Sequence, residues 1–70
     1  MDIPSFPDIR PGDWLVGFLD GHRVPLARVV DVWVTSTSVM RVQTHLRDWP
    51  NGHPLIMTYL RGNYVDVIRL

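Results

Sequence analysis

Lysine, glutamate and cysteine are absent from the 70 residues, and alanine occurs once, at Ala27. With no Lys or Glu and a single Ala, the chain is nearly stripped of three of the strongest intrinsic helix formers, so no long helix is expected. Without cysteine there is no disulfide framework and no thiolate metal site, and the composition fits a reducing, cytoplasmic compartment. Every formal cation is Arg and every acid is Asp, which removes lysine chemistry altogether. Long hydrophobic runs are missing too: no apolar stretch approaches the roughly 18 residues that suggest a membrane span. The opening Met1-Asp2-Ile3-Pro4 has neither the basic flank nor the apolar centre of a secretory signal. The expectation is a chain with no membrane partner.

What the chain does contain points to sheet. Val, Ile, Thr, Tyr, Phe and Trp suit a pleated surface, and together they fill 25 of the 70 positions. This is an all-β composition. The length allows one domain, and a body this small buries only about 60% of its extended surface. With 46% hydrophobic residues, some apolar surface must face outward, which makes self-association an expected property. Seven Arg balance seven Asp. A nonspecific nucleic-acid binder is normally strongly basic, so such a partner would need a local patch.

Residues 1–12 carry Pro4, Pro7 and Pro11 and read as an extended Pro-rich arm ending in a Pro11-Gly12 turn. Ile3, Phe6 and Ile9 recur every third residue, the period of a polyproline-like arm laid along a surface. They either cap the domain or reach a neighbouring subunit. The domain proper spans residues 13–70. Its first strand is expected over Trp14 to Leu19, with Gly17 marking a bulge or a close backbone approach. Asp20-Gly21-His22-Arg23 reads as a turn. A long second strand follows from Val24 to Val34, its even positions buried, with a kink where Arg28 interrupts them.

Thr35 to Ser38 is a polar turn, and a third strand runs from Val39 to Arg47. Met40, Val42, Thr44 and Leu46 form its apolar face, while Arg41, Gln43, His45 and Arg47 form the polar one. Matching faces pairs Val34 with Ser38, Val32 with Met40, Val30 with Val42 and Leu26 with Leu46. That register sets Asp31 opposite Arg41 and predicts a core of Val30, Val32, Val42 and Leu46. After a loop over residues 48–54, Leu55 to Leu60 is the fourth strand. Arg61-Gly62-Asn63-Tyr64 reads as one 3₁₀ turn, and Val65 to Leu70 as the last strand.

The order of these elements suggests a five-stranded SH3-like barrel. Leu60-Arg61-Gly62-Asn63-Tyr64-Val65 resembles the end of SH3 domains, where a Ser-Asn-Tyr-Val type turn precedes the final strand. Pro11-Gly12-Asp13 before an apolar strand is similar to the start of many bacterial SH3-like barrels. Of the aromatic groove with which eukaryotic SH3 domains bind proline-rich peptides, only Tyr64 has a counterpart, so that ligand is not carried over. Type II dihydrofolate reductases resemble the chain in length and barrel class. Their Val-Gln-x-Tyr strand is not reproduced, because the fourth strand reads Ile56-Met57-Thr58-Tyr59.

The candidate binding surface is the outer face of the second and third strands: Trp33, Arg41, Gln43, His45 and Arg47, with Trp49 just beyond. Arg and Trp combine large planar contact area with directional hydrogen bonding, which suits a protein interface and equally suits bases and phosphates. The plain alternative is a solvated sheet face. His45, Asp48 and His53 flank one loop, but their spacing matches no metal motif, and no metal or other cofactor is expected. No nucleophile elbow or acid–base pair is evident, so the chain reads as a non-enzyme. The functional expectation is a small interaction or adaptor module with a protein partner or self-association, and the alternative is a nucleic-acid-binding barrel. The Arg-only cations would suit the GC-rich coding of a bacterial or phage accessory protein.

Overall fold

The computed structural model describes residues 4–49 and 51–70, so Ile3 of the proposed arm stripe lies outside the described residues. Five strands form: β1 (Trp14–Leu19), β2 (His22–Val34), β3 (Val39–Leu46), β4 (Leu55–Leu60) and β5 (Val67–Ile68). They build one antiparallel sheet in the order β4-β3-β2-β1-β5. The chain is all-β, with β1 and β4 bounded as the sequence implies. β4 and β5 are the two edges and do not pair with each other, so the sheet stays open rather than closing into a barrel. No 3₁₀ segment occurs among the described residues. Gly62 takes φ 84°, outside the right-handed region such a turn needs. β5 is shorter than expected because it pairs only through Val67 and Ile68, against Leu15 and Trp14.

The β1–β2 connection is tighter than the sequence reading allows. Asp20 (φ 51°) and Gly21 (φ 79°) form a two-residue hairpin turn with both central residues in the left-handed region, whose twist suits the flanking strands. Leu19 therefore pairs with His22, and β2 starts two residues early. Pro25 is tolerated because β2 there runs beyond β3, whose pairing stops at Ala27 opposite Leu46. Gly17 lies against Leu26, where an added Cβ would sit 3.0 Å from Cδ2. The close approach is made by the Leu26 side chain and not by backbone, and the bulge sits next to it, at the Leu15/Val16 step.

The β2–β3 register corrects the expected one. The turn is longer, with the N–H groups of Thr35 and Ser36 both donating to Val39 O (3.0 and 3.4 Å), so Val34 pairs with Met40 and Val32 with Val42. A slip of two keeps every side chain on its face. A bulge at Val30 then removes one residue from the ladder, and below it Val29 pairs with Thr44 and Ala27 with Leu46. Side-chain parity switches there. Odd residues Ala27 and Val29 are buried in the lower half, and Val30, expected in the core, is 47% exposed. The two irregularities flank Arg28, where the sequence interrupts its apolar pattern.

The core joins Ile9, Leu15, Ala27, Val29, Met40 and Val42, with Phe6, Val32, Leu46 and Tyr59 packed on it. Thr44 is buried among them and donates its hydroxyl to Leu55 O at 3.2 Å. The arm lies on its own chain: Ile9 is buried and Phe6 packs on the core. The Arg61 guanidinium stacks 4.2 Å above the Phe6 ring and donates to Thr37 O and Pro4 O, while Gly62 N–H donates to Ser5 O at 3.0 Å. At the arm's far end the buried Asp13 carboxylate accepts from Arg10 N–H at 2.9 Å and from Arg69 Nε at 3.1 Å. Hydrogen bonds from Arg10, then Arg69, hold the Asp8 carboxyl below the ordinary carboxylate value.

Candidate functional site

Pairing decides which side chains share each face. On the outer face Trp33 stands directly opposite Arg41, Asp31 opposite Gln43, and Arg28 opposite His45. Trp14 continues the row beside Arg28. The expected contact of Asp31 with Arg41 is thus replaced by a diagonal, because of the longer turn. Asp31 instead accepts the N–H of Val32 at 2.9 Å. Arg47 lies just past β3, where its N–H donates to Leu26 O, and with Trp14, Arg28, Val30 and His45 it lines a shallow hollow of about 260 Å³. The Nδ1 of His45 is buried with no hydrogen-bond partner. Trp49 does not join this row: its ring lies against Gly52 in its own loop, leaving no room for a Cβ there.

The zero net charge conceals a local imbalance. Arg10, Arg23 and Arg69 are engaged by Asp8, Asp66 and Asp13. Arg28, Arg41 and Arg47 make no ion pair among the described residues, and all three belong to the β2–β3 region of the outer face. Among the described residues no three His or Asp side chains gather in a way that could hold a metal.

The opposite, concave face carries a feature the sequence reading did not anticipate. The register sets Leu55, Met57 and Tyr59 of β4 on the same side as the buried Thr44, Val42 and Met40. With β4 unpaired on its far side, these residues look across to Phe18 on β1 and to Tyr64, enclosing a groove of about 580 Å³. Its lining is apolar apart from Thr44, Tyr59, Tyr64 and Asp66. Asp66 is held at the rim by a paired contact from Arg23, at 2.7 and 2.6 Å, which raises the Arg23 pKa. Burial pushes the Tyr59 phenol up. Phe18 and Tyr64 stand 72% and 90% exposed at the lips. A hint existed in β4 itself, whose sequence Leu-Ile-Met-Thr-Tyr-Leu shows no alternation and leaves neither face polar.

Chemically, the groove offers mainly apolar contact area, with Thr44, Tyr59, Tyr64 and Asp66 as its polar groups. No helix among the described residues is long and apolar enough to cross a membrane. No protein-family model, curated protein or solved structure matches the chain.

Proposed function

We propose that the chain is a non-enzymatic interaction module, of the small accessory or adaptor kind, whose working surface is the concave apolar groove. The observation that carries this is the pair Phe18 and Tyr64, both largely exposed at the mouth of an apolar cleft in so small a body. A soluble monomer gains nothing by holding two large rings in water, and such rimmed apolar patches mark binding sites. The five-strand order with a long, bent β2 supports an SH3-like reading of the fold. The cysteine-free composition suits a cytoplasmic setting.

A second reading keeps the outer face, and its support is specific: Arg28, Arg41 and Arg47 without ion pairs, beside Trp33. It gives a nucleic-acid surface in which rings stack on bases and guanidinium groups hold phosphates.

One experiment separates them. A random peptide library is panned on the intact chain, and the selected peptides are titrated against two double variants. Apolar and aromatic peptides should bind the wild type and Trp33→Ala/Arg41→Ala equally, and lose at least about tenfold on Phe18→Ser/Tyr64→Ser, the range of a lost hot-spot ring. Failure to select any peptide, or equal binding to all three proteins, refutes the groove reading. A mixed-sequence oligonucleotide that binds the wild type, weakens steeply with salt and is lost on Arg41→Ala/Arg47→Ala would establish the second reading instead.

A further inference from the structure

The two edges of the sheet are unequal. β5 is two residues long and is followed by Arg69, which makes it a poor template. β4 has six residues, none charged and none proline, and five of the six are exposed. Natural edge strands normally carry a charge, a proline or a bulge to prevent strand addition. Among its own residues β4 carries none of these.

The backbone groups of β4 can be assigned to sides. Arg61 N–H donates to Ser38 O, so this residue turns toward β3. Strand residues alternate, so Leu55, Met57 and Tyr59 also face β3, while Ile56, Thr58 and Leu60 face the open edge. The Leu60 N–H is already taken by Asn63 Oδ1 at 2.7 Å. Two residues before Ile56 stands Pro54, which has no N–H to offer. The free donors of the open edge are therefore those of Ile56 and Thr58, blocked on both sides. The midpoint of that pair is Met57, and an antiparallel partner need only offer two outward-facing residues flanking a third, a pattern that β4 itself supplies when reversed.

We propose that this partner is a second copy of the chain, joined β4 to β4 in antiparallel register about a two-fold axis at Met57. Ile56 then exchanges both backbone hydrogen bonds with Thr58 of the partner subunit, Thr58 does the same with the partner's Ile56, and Met57 faces the partner's Met57. The pattern is self-complementary, as a two-fold interface requires. It places Leu55 beside Tyr59 of the partner subunit on the concave side and makes the two grooves continuous. Surface area supports one further partner. The chain exposes 5184 Å², whereas a monomer of its 8.1 kDa should expose about 4,500 Å². The extended arm contributes to the excess of roughly 700 Å², which is close to what one partner of a standard interface buries. The inference rests on the reading of the concave apolar surface as an interface, and it names the occupant of the open edge.

The test uses the full chain. Sedimentation should give a dimer, and Thr58→Pro should give a folded monomer. That change removes an outward N–H and leaves the β3–β4 ladder, whose donors lie on the other residues, untouched. The absence of native cysteine allows a second, independent readout. Opposed residues of a non-hydrogen-bonded pair have Cα atoms about 4.5 Å apart, within disulfide range. Met57→Cys should therefore cross-link to its symmetry mate under mild oxidation. Ile56→Cys should cross-link at least about tenfold more slowly, since its mate lies on the diagonal, about 7–8 Å away. If Thr58→Pro fails to fold by circular dichroism, the cysteine pair decides alone. A monomeric wild type, a dimer that survives Thr58→Pro, or equal cross-linking at both positions overturns the proposal. A monomer that still binds the selected peptides overturns the self-pairing and spares the groove. A β4-linked dimer that binds none does the reverse.

Discussion

Replacing Val29 or its neighbour Val30 with Asp tests the bulge on which both faces depend. Val29 is 1% exposed in the centre of the core, and Val30 is almost half exposed on the other side. A carboxyl forced into the Val29 site must be neutral or pay for desolvation. Holding a group of ordinary pKa about 3.9 neutral at pH 7 costs about 4 kcal/mol, at 1.36 kcal/mol per unit. The lost burial of the valine side chain adds about 1.5–2 kcal/mol. The sum, about 6 kcal/mol, rivals the whole stability of a 70-residue domain, about 3.5–10 kcal/mol. Val29→Asp should therefore be largely unfolded. Val30→Asp should stay within about 0.5–1 kcal/mol of wild type, as a surface change does, with Arg28 close by in the same outer hollow. Urea titration followed by tryptophan fluorescence, with far-UV circular dichroism as the folding check, measures both. A folded Val29→Asp beside an unfolded Val30→Asp would place the bulge elsewhere and exchange the two faces below it.

Three further outcomes are expected. Arg69→Met strips the buried Asp13 of its cation but leaves the Arg10 N–H, and because the Arg69 side chain is 46% exposed the midpoint of a urea melt should fall only modestly. The raised Tyr59 pKa means the folded state favours the neutral phenol, so its contribution is complete below about pH 10 and lost as pH rises through the folded value. The urea midpoint should fall across that alkaline range, and Tyr59→Phe should flatten the fall. Asp8 has the opposite sign: its pKa is lowered when folded, so its contribution is present above about pH 3.9 and disappears as pH falls through the folded value. Asp8→Asn should flatten the acid limb of the same profile, and an unchanged limb would show that Arg10 and Arg69 do not act on it.

The strands were legible wherever the sequence pattern is local. β1 and β4 could be bounded because Trp14–Leu19 and Leu55–Leu60 are mainly apolar runs, broken only by Gly17 and Thr58, between turn residues. The faces of β3 followed from strict alternation. β2 was harder, since Val29 and Val30 are chemically the same and nothing local says which one the ladder skips. That choice belongs to β3, whose Thr44 must meet Val29 and whose Val42 must meet Val32. Turn length was also hidden, because Thr35 to Ser38 suits several loop closures equally. Of the candidate outer face, Trp33, Arg41, Gln43 and His45 do share a side, since a two-residue slip preserves parity. Trp49 could not be placed, its position being set by the loop that folds it onto Gly52. The groove escaped because it is a property of what fails to pair, β4 with β5, and an alternation pattern says which side a residue takes but not whether a sheet closes.

The clasp of Asp13 by Arg69 has a kinetic side. The four long strands are joined as successive hairpins, the first by two residues, so their contacts close short loops. The clasp instead joins residues 56 apart. By the logarithmic growth of loop entropy, closing it early would cost about 2 kcal/mol more than closing a hairpin. The hairpins should consequently assemble first, and the two chain ends lock only after the rate-limiting barrier. Loosening the lock then leaves the folding arm of a chevron plot in place and raises the unfolding arm, so Arg69→Met shortens the lifetime of the native state without slowing its formation.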